Sequence, residues 1–160
     1  MTFPISRIAG AFVVVAATLA LPGSAAGQDQ AADTAAVRST AEDYILGWYA
    51  GDAERMAESL HPELVKRLHL TDPRTGRSWI DGQGRSRLVA STAAGGGSGT
   101  PEEEQRTEIT ILDVFRGAAV VRVDAGDWID YLQLVEEDGR WLILNVLWEL
   151  REAQPGTGVH

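Results

Sequence analysis

The tract "WIDYLQLVEEDGRWLILNVLWE", residues 128 to 149, consists of two apolar runs joined by Asp138-Gly139. Asp-Gly between alternating apolar residues is a strong short-range signal for a β-hairpin. A hairpin is marginal alone, so this one needs further strands and a cover for one face. A two-residue turn places Glu137 opposite Arg140, and every other pairing follows. Ile129 then meets Trp148, Tyr131 meets Val146, Gln133 meets Leu144 and Val135 meets Leu142. The opposite face holds Trp128 with Glu149, Asp130 with Leu147, Leu132 with Asn145 and Glu136 with Trp141.

Two further strands, "RTEITILDVF" and "AAVVRVD", precede the hairpin behind Arg-Gly and Ala-Gly turns. A three-residue connection at Ala125, Gly126 and Asp127 brings Arg122 opposite Asp130, with Val121 beside Tyr131 and Val123 beside Ile129. A two-residue turn sets Val121 against Asp130 instead, so the odd-length loop is preferred. The face under a helical cover is thereby predicted as Thr110, Leu112, Val114, Val121, Val123, Ile129, Tyr131, Gln133, Leu144, Val146 and Trp148. Tyr131 and Gln133 are its polar exceptions, and each needs a backbone, water or ligand partner. Asp130 becomes a surface partner of Arg122. The outer face carries Ile109, Ile111, Val120, Leu132 and Leu147 among charges, an apolar area that predicts a homodimer across the sheet.

The cover comes from the N-terminal half. Val37, Ala41, Tyr44, Ile45, Trp48 and Tyr49 form a helical stripe with Asp33 as its N-cap. Gly51 ends that helix, and Asp52 caps a second one carrying Met56 and Leu60. Alternation in Val65 to Leu70 and around Trp79, with "DPRTG" between, predicts two short strands; a third helix starting at Pro62 is the competing reading. "RSRLVASTAAG" has helical spacing and runs into "GGGSGTPEEE", read as a flexible loop. Helices first and an antiparallel meander last is the order of an α+β domain.

Met1 to Ala26 reads as a secretory signal: Arg7, the apolar "IAGAFVVVAATLAL", and a small-residue cleavage site at "PGSAA". That run is shorter than the ~20 residues of a membrane-spanning helix. The expected organisation is a signal at 1–26, an unstructured lead at 27–32, one domain at 33–152 and a tail at 153–160, exported to the periplasm or secreted, with no membrane attachment after cleavage. The formal charge is −9, and removal of Arg7 with the signal leaves −10. So acidic a chain is unsuited to nucleic acid or anionic lipid. It has no cysteine, hence no disulfide and no thiolate nucleophile. Thirteen of its fourteen basic residues are arginine, read as compositional habit.

"YILGWYAGDAERMAESLHPEL", followed much later by "DGRWLILNVLWE", resembles the nuclear-transport-factor-2-like (NTF2-like) superfamily, most closely its lumazine-binding branch. The resemblance spans roughly Ala32 to Arg151 and rests on the Gly51-Asp52 corner, His61-Pro62 and the Asp138-Gly139-Arg140-Trp141 strand start. It implies a cystatin-like cone of helices over a strongly curved, mostly antiparallel sheet, an apolar pocket between them, and dimerisation through the sheet. Relatives include ketosteroid isomerase, polyketide cyclases and dehydratases, and members with no known reaction, so fold alone does not select an activity.

An isomerase of that kind needs a carboxylate base in an apolar pocket beside a tyrosine. Tyr44, Tyr49 and Tyr131 are available, whereas Asp130 serves only if the register shifts by one. A cyclase or dehydratase needs an Asp/His pair, for which His61 and His69 are the candidates. His61 at the corner before Pro62 suits backbone capping, and His69 faces solvent. No metal-ligand spacing and no phosphate or dinucleotide motif occurs, so neither metal nor cofactor is expected. The predicted ligand-binding residues are Tyr44, Trp48, Trp79, Tyr131, Gln133 and Trp148; the rings of Trp48, Trp79, Tyr131 and Trp148 offer a slot for a flat molecule, although plain core packing accounts for each of them equally well. The function expected is binding of a small, largely apolar or aromatic molecule without catalysis. An isomerase, cyclase or dehydratase and a dimeric protein-interaction module are the alternatives.

Overall fold

The computed structural model describes residues 23–151, with side chains from Gly27 onward. The signal segment and the tail fall outside the described residues, except that 23–26 open the first helix. Helix α1 (Gly23–Ala50) leads to α2 (Ala53–Ser59), β1 (Leu60–Thr71), β2 (Ser78–Gly84) and α3 (Arg85–Ala93). A single 3-10 turn (Glu102–Glu104) precedes β3 (Glu108–Phe115), β4 (Ala118–Asp124), β5 (Trp128–Glu137) and β6 (Arg140–Leu150). The six strands form one sheet in the order β2-β1-β6-β5-β4-β3, in which only β1 and β6 run parallel. Three helices on one face of this mostly antiparallel sheet make the expected α+β cone.

The helical corner forms where the sequence places it. Gly51 takes φ +66, Asp52 N–H donates to Gly47 O at 2.9 Å and Gly51 N–H to Trp48 O at 3.2 Å, closing α1 in a Schellman-type cap. The Asp52 carboxylate then accepts from Arg55 N–H at 3.0 Å and starts α2. Alternation won over a helix at Pro62, which lies within β1. Helix α1, however, runs through the stretch read as an unstructured lead, so Asp33 is inside the helix and caps nothing.

The main correction concerns faces. From the turn, β5 and β6 pair as predicted up to Leu134 with Ile143, but the next pair is Gln133 with Asn145. Leu144 is an extra residue, a β-bulge, and beyond it the register moves by one: Leu132 meets Val146 and Asp130 meets Trp148. The bulge lets Ile143 and Val146, three apart, both point into the core, which plain alternation forbids. A second bulge at Leu112 does the same for Ile111 and Val114 in β3. The β4–β5 connection is a tight turn at Gly126-Asp127, with Ala125 N–H donating to Trp128 O and Asp127 N–H to Ala125 O, each at 3.1 Å. Gly126 sits at φ +81, the positive φ that the central residue of a γ-turn requires, and the connection is one residue shorter than the three-residue loop expected from the sequence. It pairs Val123 with Asp130 and Arg122 with Tyr131.

Ile109, Ile111, Val121, Val123, Leu132, Leu134, Ile143 and Val146 therefore face the helices, where they pack on Val37, Ala41, Ile45 and Met56. Of the inner face predicted from sequence, Val114, Val121, Val123, Val146 and Trp148 pack on or within this core. Thr110, Leu112, Tyr131 and Gln133 are exposed, while Ile109, Ile111 and Leu132, predicted outside, lie within or against the core.

The glycine-rich loop is packed, not free. Gly97 N–H donates to Trp48 O at 2.9 Å, and a Cβ on Gly97 would fall 2.5 Å from Trp48 Nε1. Gly97→Ala is expected to lose about 1 to 3 kcal/mol in urea denaturation through overpacking. Deleting Leu144 should abolish the cooperative transition, because it turns Val146 and Trp148 outward or breaks the hairpin. Leu144→Ala, which keeps the bulge, should retain that transition.

Candidate functional site

A cavity of about 680 Å³ opens between α1, α3 and the wide end of the sheet. Its floor is built by residues of matched register. Lys66 lies on the inner face of β1 between Leu64 and Leu68 and beside Val146 of β6, and Leu68, Trp148 and Asp130 form a row across three strands. Helix α1 adds Tyr44, Ile45 and Trp48 from one face, since residues four apart lie one above the other. Trp128 enters from the first position of β5.

Four polar groups interlock on this floor. Lys66 Nζ donates to Asp130 Oδ1 at 2.8 Å and to Tyr44 Oη at 2.6 Å. Tyr44 O–H donates to Asp130 Oδ2 at 3.1 Å, and Trp128 Nε1–H donates to the same oxygen at 2.9 Å. The ammonium also stands 4.9 Å from the Trp148 ring centroid and 5.4 Å from that of Tyr44, within cation–π range. Asp130 is 0% exposed. A buried carboxylate is tolerated only when paired and hydrogen-bonded, and this one has three donors, one of them its ion-pair partner Lys66.

Burial pushes the Tyr44 phenol well above its usual range, and the adjacent Asp130 charge and hydrogen bond push it the same way. At neutral pH Tyr44 is therefore a proton donor to Asp130 and an acceptor from Lys66. Nearby, Asp124 supports the turn that carries Asp127 and Trp128. Burial opposes its charge, but Arg151, Gly126 N–H and Arg122 outweigh this and hold its carboxyl below the usual range.

Tyr44, Trp48 and Trp148 line the cavity as expected from the sequence, while Trp79, Tyr131 and Gln133 do not. Trp79 is 50% exposed in β2, on the same side as Asp81 but beyond the rim. Tyr131 is 43% exposed on the outer face, and Gln133 is exposed beside it. Asp130 does not meet Arg122, which approaches Asp124 instead. Lys66 and Trp128 were missed. One signal pointed to Lys66: it is the only lysine in the chain, set between two leucines of an alternating strand. His61 lies away from the cavity, accepting from Glu63 N–H through Nδ1 at 3.0 Å and contacting Glu137 through Nε2 at 3.1 Å. His69 is exposed at the rim, and Asp113 is exposed on β3. No cluster of His, Asp and Glu suited to a metal occurs among the described residues.

Tyr44→Phe should cost about 1 to 3 kcal/mol, since it strips one partner each from two buried charged groups. Lys66→Met should cost about 3 to 5 kcal/mol by leaving Asp130 unpaired. Because the Tyr44 pKa is raised on folding, its contribution is complete below the unfolded tyrosine pKa and is lost as pH rises through the folded value. Phenolate absorbance should accordingly contain a step well above ordinary tyrosine that disappears in Tyr44→Phe.

Residues 32–149 match the family described as "Putative lumazine-binding". No functionally curated protein matches the chain. Among solved structures it is similar to an NTF-2 like protein of unknown function from Silicibacter pomeroyi, at 18% identity over 76% of this chain and 98% of that one, TM-score 0.55. It is also similar to an NTF2-like protein of unknown function from Methylobacillus flagellatus, at 17% identity over 76% and 94%, TM-score 0.57. An NTF2-like protein with a cystatin-like fold from Novosphingobium aromaticivorans aligns at 14% identity over 86% and 94%, TM-score 0.58. At these identities the likeness to the solved structures is one of fold, and the match over residues 32–149 supplies the family: the chain belongs to the family described as "Putative lumazine-binding".

Proposed function

We propose that this protein is an exported, dimeric binding protein that holds one small, flat, largely apolar molecule in its cone cavity and does not transform it. The observation that carries this reading is the engagement of both Asp130 oxygens, by three donors, at the floor of an indole-walled cavity. A general base needs an accessible carboxylate oxygen within reach of the proton it abstracts. Asp130 instead is fully buried, with both oxygens engaged by an ammonium, a phenol and an indole. Trp48, Trp128 and Trp148 supply broad faces for a planar guest, and 680 Å³ is ordinary for a small-molecule site. The family description names a flat heterocycle as guest, in keeping with such walls.

A second reading, acid-base catalysis of the isomerase kind, draws on the same geometry, because a carboxylate does face the cavity beside a tyrosine. It requires a guest that displaces Lys66 or Tyr44 from Asp130. Dimerisation is supported by the outer sheet face, where Tyr131, Leu112 and Leu147 are exposed, the last at 56%. Export rests on the N-terminal leader sequence.

Native mass spectrometry of protein purified from its host's envelope should report a dimer carrying an aromatic small molecule. A bare monomer would overturn the reading. Leu147→Asp should yield a monomer with unchanged circular dichroism. Turnover of a β,γ-unsaturated ketone that is abolished by Asp130→Asn would establish the catalytic alternative instead.

A further inference from the structure

Lys66 has more hydrogen-bonding capacity than the floor uses. An ammonium carries three N–H donors. Two are spent on Tyr44 and Asp130, and the third has no protein acceptor among the described residues. The side chain is 9% exposed and lines the cavity, so that donor is available to a bound guest and to little else.

The charge around it decides which guest. Lys66 is already compensated by Asp130 at 2.8 Å, so the floor is an ion pair with no net charge. A guest carboxylate would bring a second anion next to Asp130 in a site where charges are poorly screened. The rim adds to this: Asp81, Asp127 and Glu149 face it against the single cation Arg87. Counting the lining ionisable groups with His69 neutral, two cations stand against four carboxylates, leaving −2. A neutral carbonyl meets neither penalty, because it accepts the spare N–H and adds no charge.

We infer that the cavity selects uncharged planar molecules that insert a carbonyl oxygen onto Lys66 Nζ, and that the Lys66–Asp130 pair rejects the corresponding carboxylates. This rests on the binding reading above and specifies its ligand class. Lys66 acts as the recognition donor and Asp130 as the group that sets the sign of the site.

Three probes of similar shape separate the possibilities: 2-naphthamide, 2-naphthoate and 2-methylnaphthalene. Binding is followed by tryptophan fluorescence and by the side-chain NMR signal of lysine-labelled protein, which is unique because the chain has one lysine. The naphthamide should bind at least about tenfold more tightly than the naphthoate, a difference of roughly 1.4 kcal/mol. It alone should shift the lysine signal through a direct hydrogen bond. Asp130→Asn leaves Lys66 uncompensated and should invert the order, with naphthoate now the tighter ligand.

If methylnaphthalene binds as well as the amide and the lysine signal stays still, recognition through Lys66 is overturned while binding of flat molecules stands. If naphthoate binds most tightly to the unaltered protein, the site is an anion site and the inference is wrong. If none of the three binds, the binding reading itself falls and takes the inference with it. Should Asp130→Asn not fold, the order of the three probes and the lysine signal of the unaltered protein still decide the matter.

Discussion

The extra residue at Leu144 sets which side of the hairpin each residue presents toward the open end of the cone. Between the Asp138-Gly139 turn and Ile143 the strands pair in simple register; after Leu144 they pair one step away. Side chains alternate across a strand, so the extra residue changes the phase of the bulged strand β6 while β5 alternates unbroken. That change puts Val146 and Trp148 on the inward side already held by Asp130, Leu132 and Leu134, with Tyr131 and Gln133 outward. It also keeps Trp148 in the same row as Asp130 and Leu68, with Lys66 two residues along β1. Bulges bend strands as well as shifting them, and those at Leu112 and Leu144 fall in two of the long strands that must curve around the helices.

The buried ion pair follows from that placement, and its energetics bear on function. Removing a lysine and an aspartate from water is expensive, and well-packed apolar residues of similar volume usually serve stability as well or better. The surrounding core of Val121, Leu132, Ile143 and Val146 needs no polar help to close. A structural account therefore leaves the pair unexplained, whereas a site that must hold a donor rigidly inside an apolar cavity requires such an arrangement. Tyr44, Trp128 and Trp148 fix the two charges from three sides, which pre-organises the donor and limits the entropy lost when a guest arrives.

Much of this fold could be read from local chemistry. The helical stripe, the Gly51-Asp52 corner and the Asp138-Gly139 turn each carry their own short-range cause, and each lies where the sequence indicates. Long-range register is less legible, because a turn fixes pairing along a hairpin only as far as the first inserted residue. The signal was nonetheless present: Trp141 and Ile143 share one parity and Val146 and Trp148 the other, as do Ile109 and Ile111 against Val114. A change of phase within one strand is what a bulge looks like in sequence. Half of the site was legible for a related reason. Tyr44 and Trp48 ride on a helix whose face is fixed by periodicity, while Asp130 depended on register and Lys66 on a partner sixty-four residues away. In the glycine-rich loop composition indicates flexibility and carries no sign that Trp48 packs on Gly97.

The two faces of the sheet divide the remaining tasks. Polar residues that would ordinarily be outside, Lys66 and Asp130, are enclosed on the concave side, and apolar residues that would ordinarily be inside, Leu112 and Leu147, lie on the convex side. The inversion has one geometric consequence for the proposed assembly. The cavity opens between α1, α3 and the sheet, so a second copy seated on the convex face would bury Leu147 and Tyr131 without obstructing the rim. It would also brace β5 and β6 from behind, the strands that carry Asp130 and Trp148. Lys66 reaches Asp130 across a parallel and then an antiparallel pairing, so stiffening those two strands holds the donor geometry on which selection between a carbonyl and a carboxylate would rest.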